Sequence, residues 1–171
     1  MTTSLMLFAH LPSGYILGRF AQRRWRMTSG IMIAAMIGSV IPDIDMLYFH
    51  LVDGRRTHHH AYITHWPLFW AATGIFSLSL ARWLGWPYLP LIGVFFAGTM
   101  LHMVLDTVAS PIRWLMPFDC HAFELVTVAA YGNWVVSFVL TFALELLICA
   151  WALCLASVRS SPRVGASQKG T

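Results

Sequence analysis

Aspartates and histidines set inside apolar stretches constrain this chain more than any other feature. Five apolar segments run at about residues 5–20, 30–51, 63–83, 88–108 and 134–158. His10 lies in the first, and Asp43 and Asp45 in the second. His60 and His65 lead into the third, and His102 and Asp106 come late in the fourth. An ionisable group at the centre of a membrane helix costs about 2.5–3.5 kcal/mol on the insertion scale, so its presence there marks a site by default.

Composition agrees with a membrane setting. The 171 residues are 58% hydrophobic and 11% charged, against about 45–50% and about 25% for a soluble domain. Mean hydropathy is +0.66. A water-soluble globule and a disordered chain are both excluded. A spanning helix takes about 20 residues. The expected fold is therefore all-α, a multi-pass transmembrane bundle of four to five membrane helices. It forms one integral-membrane domain over residues 1–158, followed by a disordered polar cytoplasmic tail over 159–171.

The net charge of +4 is concentrated in Arg19, Arg23, Arg24 and Arg26 and in Arg159, Arg163 and Lys169. No basic stripe alternates with exposed aromatics, so nucleic acid is not an expected partner. Cys120, Cys149 and Cys154 form no CxxC pair, which argues against a disulfide framework or zinc ribbon. The opening MTTSLMLFAHLPSGYILG lacks the basic start of a cleavable signal peptide. With all five segments crossing, lysines and arginines divide eight to three between the two sides. The positive-inside rule then puts the N-terminus outside and the tail in the cytoplasm. The first segment is short, and a re-entrant placement is its alternative. In this topology Asp43, Asp45, His65, His102 and Asp106 fall toward the outer side, within reach of His10.

The local spacings suit a metal ion. His102 and Asp106 are four apart (HMVLD) and share a helical face. They can bind one ion, or satisfy each other through a hydrogen bond. Asp43 and Asp45 would point about 200° apart on a regular helix, but a break at Pro42 can turn both inward. The tract His58, His59, His60 supplies at most one or two ligands, since three neighbours cannot all point one way. His60 and His65 are five apart and fit a loop followed by a helix start. His10 alone reads as a core histidine; within the cluster it reads as a ligand. Imidazole and carboxylate without thiolate suit zinc, with manganese or iron as alternatives, and seven candidates suffice for one or two ions. Asp45 is the candidate catalytic residue, a base for water activation or a ligand to a second ion.

In order along the chain stand AH10, IPDID from Ile41 to Asp45, HAYITHW from His60, and HMVLDTVASPIRWLMPF from His102. This series resembles the YdjM/YbcI-like family of inner-membrane, predicted metal-dependent hydrolases, whose pattern is GH, LPDID, HRGFTHS and SHxxxD followed by a proline-containing stretch. The likeness covers about residues 8–118. It implies a bacterial inner-membrane location and metal ligands drawn from His10, Asp43, His60, His65, His102 and Asp106. Ala61 stands where the pattern has arginine and Trp66 where it has serine; Arg55 or Arg56 is the available substitute cation. The order of ligands is also similar, over a shorter pattern, to the metal core of zinc-dependent phospholipases C.

The expected activity is metal-dependent hydrolysis of a phosphoester, such as a lipid headgroup, by metal-activated water. Membrane lipids are the expected partners, and the sequence leaves oligomeric state open. Two other readings stand beside it. One is a divalent-cation or proton transporter using the buried His/Asp cluster, with Glu145 extending the path. The other is a non-catalytic, metal-stabilised scaffold. The small residues Gly93, Ala97 and Gly98 offer a close helix contact, for which a dimer is one use.

Overall fold

Proline and glycine punctuation sets the helix boundaries. The computed structural model describes residues 8–25, 28–57, 59–125 and 134–160. Among them are six α-helices and no strand: α1 (His10–Arg24), α2 (Thr28–Gly38), α3 (Asp45–Leu51), α4 (Pro67–Trp83), α5 (Leu89–Ala109) and α6 (Trp134–Ser160). Trp66 and Ser110 are extended, each directly before a proline, as the proline ring requires of its predecessor. Pro67 and Pro90 then occupy first turns, where a missing N–H costs nothing. Gly85 adopts φ +68° between α4 and α5, a left-handed turn that glycine makes without strain. After α5 the chain folds back, and Ile112 and Phe123 pair in one isolated antiparallel bridge.

Pro42 breaks the second apolar segment. The helix stops at Gly38, a 3₁₀ turn covers Ile41–Ile44, and α3 resumes at an angle of 55°. Among the described residues two helices are long and apolar enough to cross a membrane, over Leu89–Val108 and Phe138–Val158. The bent pair Ser29–Gly38 and Ile41–Leu51 raises the number to three if it forms one span. This is fewer than the four to five membrane helices expected. The cause is length: α1 has 15 residues and α4 has 17. At 1.5 Å per residue they rise about 22 and 25 Å, against a hydrocarbon core of about 30 Å. An apolar run in the sequence therefore overstates the helix it makes. Helix α6 continues to Ser160, past the expected start of the tail, and residues 161–171 lie outside the described part.

The packing is close because small residues meet. A Cβ on Gly38 would stand 2.1 Å from the Phe95 carbonyl oxygen, and one on Gly98 would stand 2.8 Å from that of Ala35. Glycine is required at both positions. Gly98 thus faces α2 of its own chain rather than a second copy. Gly14 of α1 abuts Ser39 and Ala35 in the same way. Ala21, Ile31, Ala35 and Val94 form the apolar core of this three-helix contact, with Leu17 and Leu91 packed beside them.

The contacts also give the directions. Gly14 faces Ser39 while Gly18 faces Met32, so α1 and α2 are antiparallel. Gly30 faces Leu91 and Gly38 faces Phe95, so α2 and α5 run in the same sense. Gly74 meets Phe96 and Gly93 meets Leu78, so α4 opposes α5. Helix α6 runs with α1: Glu145 bonds Phe8, and Trp151 packs edge-on against Phe20. The start of α1, the end of α2, the start of α4 and the end of α5 therefore meet at one end of the bundle. Arg23, Arg24 and Arg82 lie in last turns at the other end.

Candidate metal centre

Six side chains from these four element ends converge. His10 opens α1, and Asp43 sits in the 3₁₀ turn after α2. His60 and His65 belong to two short 3₁₀ turns, His59–Ala61 and Ile63–His65, that lead into α4. His102 and Asp106 stack one turn apart near the end of α5. Asp106 is central. Its Oδ1 is 3.2 Å from His10 Nε2, and its Oδ2 lies 3.0, 3.6 and 3.8 Å from Nε2 of His102, His65 and His60. Asp43 Oδ1 is 3.5 Å from His65 Nε2 and 3.6 Å from His102 Nε2. The His10 and His102 rings stack at 3.9 Å.

Two groups of three have ligand atoms within 4.8 Å of one another: His10, Asp43 and His102, and His60, His65 and Asp106. Nε2 of the four histidines and the carboxylate oxygens of Asp43 and Asp106 surround a common space, 3.0–3.8 Å apart. His102 Nε2 and Asp106 Oδ2 are buried, and neither has a hydrogen-bond partner despite their 3.0 Å approach. Buried polar atoms are costly when left so. An imidazole–carboxylate donor set around such space fits a divalent cation.

The outer nitrogens explain how the rings are held. His102 Nδ1 donates to the Ser39 carbonyl at 2.9 Å. That carbonyl is freed where α2 ends, as the last carbonyls of any helix are. His65 Nδ1 donates to Asp45 Oδ2 at 2.6 Å, and the same oxygen accepts a hydrogen bond from Thr64 Oγ1. Both arrangements leave Nε2 facing the cluster, which is how a ligating histidine is usually oriented. Burial alone would lower the pKa of His65, but hydrogen bonds to Asp43 and Asp45 outweigh it and raise the value to about 9.

Asp43 and Asp45 therefore approach the same imidazole from opposite nitrogens. The break at Pro42 makes this possible for residues two apart. Asp45, singled out from the sequence as a base, stands behind His65 and is engaged by Thr64. Ser39 joins the site through its backbone carbonyl, and no side-chain signal could have shown it. Glu145 is buried in α6, and its Oε1 accepts the Phe8 N–H at 3.1 Å, just before α1. Arg55 and Arg56 are exposed in the loop after α3.

Compared with curated proteins and with solved structures, the chain finds no match. The sequence pattern of the YdjM inner membrane protein family matches residues 5–164, which takes in all six converging side chains and all six described helices. The chain belongs to the YdjM inner membrane protein family.

Proposed function

We propose that the cluster binds one or two divalent ions and that the protein hydrolyses a phosphoester. The observation that carries this reading is Asp106, whose two carboxylate oxygens face four imidazoles from three parts of the chain. His10, Asp43, His60, His65, His102 and Asp106 would hold the metal, with zinc favoured by the donor set and manganese or iron as alternatives. A divalent ion supplies Lewis acidity and makes hydroxide available from water near neutral pH. Ser39 and Asp45 orient His102 and His65, so Asp45 acts as a positioning residue. The site end of the bundle lies toward the outer face, because Arg23, Arg24 and Arg82 stand at the opposite end and basic residues favour the cytoplasm. By the same rule the N-terminus is outside and the tail inside. Transport by a graded polar path is less well supported, since Glu145 is engaged with the Phe8 N–H.

The test is elemental analysis of detergent-purified protein beside a phosphoester assay. Wild type is expected to carry one or two equivalents of zinc, manganese or iron and to cleave a phosphoester. Asp106→Ala should insert normally, lose the metal and lose the cleavage. Full metal content in Asp106→Ala refutes the ligand set; metal without cleavage of any phosphoester refutes the hydrolytic reading.

A further inference from the structure

The elbow between α2 and α3 opens a groove of about 610 Å³, walled by Leu11, Ile33, Ile37, Val40, Ile44 and Leu47. Such a volume is ordinary for a site that takes a small organic ligand. Its lining is apolar except for one side chain, Asp43. Asp43 is also the member of the metal cluster that reaches the surface. Its side chain is 23% exposed, whereas those of His10, His60, His65, His102 and Asp106 are at most 5% exposed. The groove and the cluster thus share one residue, and the cluster opens on the groove side. The walls belong largely to the bent pair that can form one broken span; with that span in the bilayer, the groove faces hydrocarbon.

Resting on the hydrolytic reading above, we propose that the substrate is a membrane lipid, with one acyl chain lying in this groove and its phosphoester head past Asp43 at the cluster. An acyl chain satisfies what the walls offer, because none of the groove's other lining side chains can hydrogen-bond or pair with a charge. The single acid at the groove's inner edge, Asp43, belongs to the cluster, so a head lying past it reaches the cluster directly. A lipid entering sideways needs no water-filled path to a cluster whose other five members are buried.

The probe is phosphatidylglycerol carrying a photoreactive diazirine on one acyl chain, in nanodiscs holding the full chain, with adducts mapped by mass spectrometry. Leu146, Leu147 and Leu153 on the exposed face of α6 report ordinary lipid contact. Groove residues Ile33, Ile37 and Leu47 are expected to label well above that level. Ile37→Trp should lower groove labelling about tenfold, as loss of about two buried methylenes would, and leave α6 labelling unchanged. Groove labelling at the α6 level, or insensitive to both Ile37→Trp and Ile33→Trp, overturns the proposal. Zinc, manganese and iron measured on the same samples separate the two readings. Zinc, manganese or iron present with no excess groove label overturns the groove; excess groove label with none of the three metals supports the groove as a lipid site and overturns the hydrolytic reading.

Discussion

Adding one methyl group at Gly38 tests whether helix packing sets the geometry of the cluster. A Cβ there would meet the Phe95 carbonyl oxygen at 2.1 Å and its carbon at 2.9 Å. Both are backbone atoms of α5, so no side chain can swing aside. Relief requires α2 and α5 to part locally by about an ångström, an overpacking cost of about 1–3 kcal/mol. The next residue, Ser39, accepts the 2.9 Å hydrogen bond from His102 Nδ1. Parting by that amount stretches the bond beyond any useful length. Loss of such an orienting partner typically weakens metal binding about 10–100-fold. Gly38→Ala should therefore weaken zinc affinity by that factor in a competition assay with a chelating dye. Gly93→Ala is the control, since its Cβ would find Leu78 only at 4.0 Å. If Gly38→Ala retains wild-type helix content by circular dichroism and wild-type zinc affinity, the coupling between packing and site is refuted.

Two further predictions follow from partners behind the cluster. Asp45→Asn should cut zinc affinity about 10–100-fold without removing a ligand, and the amide should lower the pKa of His65, read by histidine NMR of the metal-free protein; an unchanged affinity and an unchanged His65 would place Asp45 outside the site. Glu145→Ala should leave the Phe8 N–H without its acceptor and weaken the docking of α1 by about 0.5–1.5 kcal/mol, seen as a lower Tm in detergent, while Glu145→Gln restores part of the loss; equal Tm values for all three proteins would rule out the pin.

The sequence and the structure can be compared residue by residue. His10, Asp43, His60, His65, His102 and Asp106 were legible because an ionisable group in an apolar segment has few bland explanations. Their convergence followed from where each lay along its segment. The number of spans was not legible, because hydropathy counts apolar residues and does not see where a helix stops. Gly38 and Pro42 divide one run of apolar residues into two helices at 55°. The two roles of Asp43 and Asp45 were also hidden, since a spacing of two says nothing of which nitrogen of His65 each will face. The partners of His102 and Glu145 are backbone groups, the Ser39 carbonyl and the Phe8 N–H. Every residue carries such groups, so no pattern of side chains could single them out.

The shortness of α1 and α4 bears on how the protein is made. Neither reaches the about 20 residues of a typical span, and both are translated before α5. Helix α5 carries the first uninterrupted apolar run of sufficient length, and it also bears His102 and Asp106. Helices α1 and α4 both pack on α5, so they are expected to be held less firmly in a chain that stops before α5 than in one that includes it. The carboxylate that faces four imidazoles arrives on that same helix, so assembly of the cluster is expected to coincide with the docking of the earlier helices.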